Sequence, residues 1–377
     1  MRILFLVPRY WPEIGGVERH TASVAAVLAR RGHVLQVITQ QTRPNQAAGE
    51  VDPCGIPVLR LGTGRLLGIP KTGFLLRPRL RQTLADEVHR FQPDLVHVHD
   101  IALWMNWWGP LRDQFEAVRS FITFHGWEGK FPPASNVIAA RRKAANEAEG
   151  HISVGAFINQ WYGTKADEIT YGGIDSARLS PPDSPLVDSI NAIYVGRLAK
   201  DTGLYTILEA LARIGSHAPT LTVVGEGSDK KWLMKMAENL SVHANWLAPT
   251  ENPIPLLAQH GIVFASGYLS MLEALACGAR VFAVYDNALR RDYLSLFPNA
   301  KKYLSIAGDA EHLAVQLRTN LENFQRNDEV RHAARQWALT QTWDVVADAY
   351  ERLWKNSGAK FRHPDLRHDF CNFKEPK

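Results

Sequence analysis

Five short stretches of this sequence bring together residue types that could do chemistry. In Pro12-Glu-Ile-Gly15-Gly16-Val-Glu-Arg-His20, two glycines precede an amphipathic run. Glycines let a ligand approach unpaired backbone N–H groups, and a helix start favours an anion; a tight turn at positive φ would use the same residues. In Thr123-Phe-His125-Gly126-Trp127, a histidine ends an apolar run. It can hydrogen-bond or exchange a proton with a substrate, or bond to backbone. Val195-Gly-Arg197-Leu-Ala-Lys200-Asp201-Thr202-Gly203 sets two cations after an apolar run. Arginine grips phosphate oxygens bidentately and lysine adds a point charge; the alternative is an acidic neighbour for Arg197 and solvent for Lys200. Val224-Gly225-Glu-Gly227 can border a base or ribose, or serve as an ordinary turn. Ala265-Ser-Gly-Tyr268-Leu-Ser270-Met-Leu-Glu273 carries a carboxylate inside an apolar helical pattern. That carboxylate can accept two hydrogen bonds from a diol or cap its own helix. Deep in an apolar helix, it is costly unless paired.

Other stretches are less pointed. Arg65, Lys71, Arg77, Arg79 and Arg81 stud an apolar segment, suiting either a surface resting on anionic lipid or a solvated face. Trp104, Trp107 and Trp108 could platform a sugar or fill a core. His97 and His99 alternate with Val96 and Val98 and read as structural. Cys54, Cys277 and Cys371 are widely spaced without CxxC, which predicts a reducing compartment and no zinc site. No dinucleotide-binding GxGxxG occurs, and nothing resembles a nucleic-acid-binding signature.

These segments need elements to hold them. The 377 residues are 46% hydrophobic and 21% charged, enough for two globular domains and unlike disorder or a disulfide scaffold. A net charge of +5 favours anionic partners without naming one. Near-continuous apolar runs mark buried parallel strands at Ile3–Val7, Val34–Thr39, Pro57–Leu61, Leu95–Val98, Phe121–Phe124, His151–Val154 and Glu168–Tyr171. Val17, Thr21, Val24 and Leu28 share a helix face that Gly32 ends. The proline-rich Leu179–Leu186 reads as a linker. The rhythm then restarts at Ala192–Val195, Thr220–Val224, Ala244–Leu247, Ile262–Ala265 and Arg280–Val284. Val345, Ala349 and Leu353 mark a last helix before a polar tail. Two doubly wound α/β domains in tandem would face across a cleft, with ligands beyond the strand ends. No leader or membrane-length run is apparent, so a soluble cytoplasmic chain is expected.

In order and spacing, these segments resemble the GT-B retaining glycosyltransferases of family 4. The resemblance runs from residue 1 to about Trp354. It rests on Gly15-Gly16 with the following helix, Val96-His-Val-His99, Phe124-His125-Gly126, Tyr171-Gly-Gly-Ile-Asp175, Val195-Gly-Arg-Leu198, Gly225-Glu-Gly227 and Leu272-Glu-Ala-Leu-Ala-Cys-Gly278. It implies a GT-B fold of two Rossmann-like domains. These are an acceptor-side domain over 1–180, joined by the helix near 343–357, and a nucleotide-sugar-binding domain over 188–342, followed by a polar tail over 358–377. It also implies transfer from a nucleotide diphosphate sugar to a glycan or lipid-linked acceptor, with retention, no catalytic metal and no cofactor. His125 would lie at the reaction centre. Gly15, Gly16, Arg197, Lys200, Gly225, Gly227, Tyr268, Ser270 and Glu273 would hold the donor, with Arg197 on the diphosphate and Glu273 on the ribose. Trp127, Arg77, Arg79 and Arg81 would face the acceptor or an anionic membrane surface on the cytoplasmic side.

The sequence departs from the family pattern at three places. Thr202 stands where a lysine is usual, so that Lys200 must substitute; Ala265 replaces the first glutamate of a pair; Gly172 replaces an asparagine. These departures leave an alternative from another class, a catalytically reduced GT-B protein that binds nucleotide as a partner or regulator.

Overall fold

The computed structural model describes residues 1–43, 45–62, 78–126, 130–180, 186–324 and 328–357. Arg65, Lys71, Arg77, Trp127, most of the proline-rich linker, Cys371 and the polar tail lie outside the described residues.

The first sheet has eight strands: β1 (Arg2–Val7), β2 (Val34–Gln40), β3 (Gly49–Val51), β4 (Pro57–Leu61), β5 (Leu95–His99), β6 (Arg119–His125), β7 (Gly150–Val154) and β8 (Glu168–Thr170), in the order β3-β4-β2-β1-β5-β6-β7-β8. All described pairings are parallel except β3 with β4. Leu4, Phe5, Val96, Val98 and Ile122 are fully buried, as strands covered on both faces require. The helix Gly16–Arg30 turns His20, Thr21, Val24, Ala25 and Leu28 inward. Gly32, at φ 85°, ends it.

The second sheet has six strands: β9 (Ala192–Val195), β10 (Leu221–Val224), β11 (Ala244–Leu247), β12 (Ile262–Phe264), β13 (Arg280–Val284) and β14 (Leu304–Ala307), all parallel in the order β11-β10-β9-β12-β13-β14. The antiparallel β3 and the edge strand β14 carry no strand signal in the sequence. Gly49-Glu-Val51 is short and polar, and Leu304-Ser-Ile-Ala307 follows a helix without a turn signal.

Two crossings join the halves side by side. Ile174 N–H donates to Gln341 O at 2.9 Å, and Ile174 bridges Thr342. Gly173 is required here by close approach, since a Cβ would sit 2.6 Å from the Trp343 nitrogen. Beyond this point the helix Trp343–Asn356, capped by Thr342, returns to the first sheet. Its Tyr350, Leu353 and Trp354 join one buried cluster with Ile3, Phe5 and Val37. The three tryptophans at 104, 107 and 108 are core, not a sugar platform. All are fully buried, and the Trp108 indole donates to Ser120 Oγ at 2.9 Å.

Candidate active site

The segments singled out above lie at the carboxyl ends of β1, β6, β9, β10 and β12, where open α/β sheets bind ligands. By contrast, a cavity of about 630 Å³ lined by Arg142, Glu149, His151, Lys165 and Asp167 opens at the amino ends of β7 and β8, and its charges cancel.

Gly15 is extended (φ 178°), so no positive-φ turn is needed there. The Glu18 carboxylate folds back against it, where a Cβ would stand, but as the end of a flexible side chain it could swing aside. Glu18 therefore covers the amide end of its own helix, and burial raises its pKa. Gly16 faces open space.

His125 ends β6 and is buried within a four-histidine cluster. Its Nε2 lies 3.0 Å from His99 Nδ1, their rings stack at 5.3 Å, and His20 stands edge-on at 4.8 Å. His97 and His99, read as structural from sequence, thus support the candidate catalytic histidine directly. A second chain of hydrogen bonds runs through the cluster in one direction, because an indole N–H can only donate. Trp354 Nε1–H donates to His97 Nδ1 at 3.1 Å, and His97 Nε2–H donates to Thr123 Oγ1 at 2.7 Å. The Thr123 hydroxyl donates to the Tyr350 hydroxyl, which donates to His20 Nε2, each at 3.0 Å. Burial drives His20 and His97 down to about 3. Burial and neighbouring rings hold His99 and His125 well below 6.5. All four rings are neutral at physiological pH.

In the C-terminal sheet, the loop after β10 packs on the loop after β9. Leu198 N–H donates to Glu226 O at 2.9 Å, and Asp229 N–H donates to Leu198 O at 3.1 Å. Gly225 and Gly227 are dictated by this approach, because a Cβ on either would strike the carbonyl of Gly196 or Leu198. Arg197 reaches Asp201 at 2.7 Å and stays largely exposed. Lys200 is exposed. Thr202 is buried, its hydroxyl donating to Ala199 O at 2.7 Å, and offers no cation.

The helix Tyr268–Ala276 follows β12. Ser270 Oγ donates to Gly267 O at 2.8 Å and so serves the helix start. The Tyr268 ring stacks on Tyr293 at 4.1 Å and meets Tyr171 of the N-terminal half at 5.1 Å; its hydroxyl donates to Tyr293 O at 2.9 Å. These two side chains are engaged in the protein itself. Glu273 does not cap its helix. It is buried and forms an ion pair with Arg19 of the N-terminal half, one turn past Gly16. Burial raises the Glu273 pKa, while Arg19 and Arg178 pull it back down. Arg19 and His20 stand in the Gly15-Gly16 segment, where the sequence alone shows them only as residues of an amphipathic helix. No local pattern pointed to Tyr350, 330 residues from its partner His20.

Known proteins share this order of two domains. Residues 15–170 match the model of the glycosyl transferase 4-like domain, and residues 181–337 match that of the glycosyl transferases group 1. The chain is 27% identical to a glycogen synthase of Mycobacterium tuberculosis, covering 97% of each chain. It is 25% identical to a phosphatidyl-myo-inositol mannosyltransferase of Mycolicibacterium smegmatis, covering 95% of each. It superposes with a TM-score of 0.72 and 17% identity on the Anabaena protein HepE solved with UDP and glucose, covering 94% of this chain and 99% of that one.

Proposed function

The chain belongs to the group 1, family 4-like glycosyltransferases of GT-B fold, and we propose that it is a retaining, metal-independent member that moves a sugar from a nucleotide diphosphate sugar to a glycan or lipid-linked acceptor. The observation that carries this reading is the buried Glu273, held at the cleft opposite the Gly15-Gly16 loop with Arg19 as its counter-charge. A desolvated carboxylate in that place suits a ribose diol, which supplies two donors to one acceptor group.

Each group would then have a defined task. Glu273 exchanges Arg19 for the ribose. Arg197 and Lys200 lie within reach of a diphosphate at the β9 end, where charge builds as the glycosidic bond to phosphate breaks. Fixed cations and amide dipoles stabilise that charge without reorganising. The departing diphosphate oxygen takes the acceptor proton on the face it leaves, which retains configuration. His125 is neutral, so it acts as a hydrogen-bonding partner for the donor sugar, not as a cation. The glycogen synthase and the phosphatidyl-myo-inositol mannosyltransferase among the relatives support a glycan or lipid-linked acceptor. The exposed Arg79 and Arg81 would face an anionic membrane on the cytoplasmic side.

The test is a thermal-shift panel of nucleoside diphosphates and their sugar conjugates in the presence of a chelator. Stabilisation by one nucleotide series is expected, since a ligand for the folded state alone raises stability by mass action. The stabilising donor then enters transfer assays with glycan and glycolipid acceptors, the product anomer being read by NMR. His125→Ala should lower turnover by roughly 10²-fold or more. Inverted product, or transfer abolished by the chelator, would overturn this reading.

A further inference from the structure

Arg290 is a buried cation without a counter-ion among the described residues. It lies in the helix Ala288–Ser295, which follows β13, and is only 8% exposed. One guanidinium nitrogen, Nη2, donates to Ser266 O at 3.2 Å, and the group lies 4.9 Å over the Tyr293 ring. Among the described residues no carboxylate stands within 4.0 Å of it. Two other buried arginines have a carboxylate beside them: Arg331 pairs with Asp328 at 3.0 Å, and Arg60 pairs with Glu50. A guanidinium charge left uncompensated in so enclosed a place is costly.

The place of Arg290 is as informative as its burial. It reaches from the end of β13 to Ser266 at the end of β12, beside the end of β9. These three strands are adjacent in the sheet. A Cβ on Gly196 would stand 3.5 Å from Ser266 Oγ, so the β9 loop and the turn roofed by Arg290 share one site. The same turn begins the helix Tyr268–Ala276, whose positive end adds to the field. Other positive features nearby are already engaged or solvated. Arg197 holds Asp201, Lys200 is exposed, Thr202 carries no charge, and Glu18 covers the amide end of the Gly15-Gly16 helix.

We infer that Arg290 is a binding residue for the diphosphate of the nucleotide donor, supplying from the β13 side the buried cation that position 202 lacks. This rests on the transferase reading above. Its fork grips phosphate oxygens from a desolvated position, where the attraction is screened less than at Arg197.

The experiment compares full-length wild type with Arg290→Gln and Arg290→Lys by calorimetry. The probes are UDP, ADP and GDP, each with its nucleoside, and inorganic pyrophosphate. Arg290→Gln should weaken the preferred diphosphate and pyrophosphate by at least about tenfold, the loss of a charge-assisted bond. The matching nucleoside should bind as before, and Arg290→Lys should fall between. Undiminished diphosphate binding by Arg290→Gln overturns the inference alone. Equal loss of nucleoside and diphosphate makes Arg290 structural and also overturns it. Wild type that binds no diphosphate removes both this inference and the reading beneath it.

Discussion

Arg19 and Glu273 form an ion pair across the cleft, joining the first helix of the N-terminal half to the helix that follows β12. In the proposed donor complex the ribose takes the carboxylate that Arg19 now holds. Removing Arg19 leaves a buried carboxylate whose pKa is already raised by burial. Arg19→Ala should cost about 2 kcal/mol at pH 8, below the 3–5 kcal/mol for breaking a fully buried pair, because Arg19 keeps 28% exposure. The sign with pH is set by the raised carboxyl: the folded state holds the proton more tightly, so the penalty shrinks as pH falls towards 5. Denaturant titrations at both pH values measure this, with Glu273→Gln in the same background restoring stability. An equal penalty at both pH values would contradict the pairing.

The four-histidine cluster predicts acid sensitivity. A histidine with a depressed folded pKa contributes no penalty above its unfolded value of about 6.5 and an increasing one below it. By pH 5 the two rings held near 3 cost about 2 kcal/mol each, and the other two add to this, a large share of a domain's whole stability. Unfolding should therefore begin as pH drops below 6, with proton uptake visible in the pH dependence of the melting temperature. A melting temperature flat between pH 7 and pH 5 would contradict burial of the cluster.

Tyr350 sits in the middle of the one-way hydrogen-bond chain, accepting from Thr123 and donating to His20. Tyr350→Phe keeps the buried ring but strands the Thr123 hydroxyl and His20 Nε2, at about 1–3 kcal/mol for each buried group left unpaired. Differential scanning calorimetry should show that loss of stability; a variant as stable as wild type would refute the chain.

Arg77, Arg79 and Arg81 are the residues assigned to lipid contact. If that assignment holds, replacing all three with glutamine should abolish sedimentation with vesicles containing phosphatidylglycerol, and salt should do the same to wild type. Sedimentation unchanged by the replacement rules this surface out.

Most of the fold was legible in the sequence because parallel strands buried on both faces write themselves as apolar runs. Ile3–Val7 and Arg280–Val284 are examples. The site was legible only as places along the chain. His125 and Glu273 stood out because a polar group ended or interrupted an apolar pattern. Their partners did not: Arg19 and Arg290 lie on amphipathic helices where an arginine is ordinary, and only the assembled molecule shows that each is turned inward. Gly225 and Gly227 invited a ligand-based account, whereas the loop after β9 explains both.

The return of the helix Trp343–Asn356 to the first sheet has a consequence for descent. The N-terminal fold is encoded in two separate parts of the gene, because Phe5 and His97 near its beginning are completed by Tyr350 and Trp354 near its end. A single recombination at the linker would join one lineage's sheet to another's final helix and leave the histidine chain without its donor. Exchange of donor specificity between relatives would therefore need two crossovers, one on each side of the C-terminal sheet, with the ends inherited together.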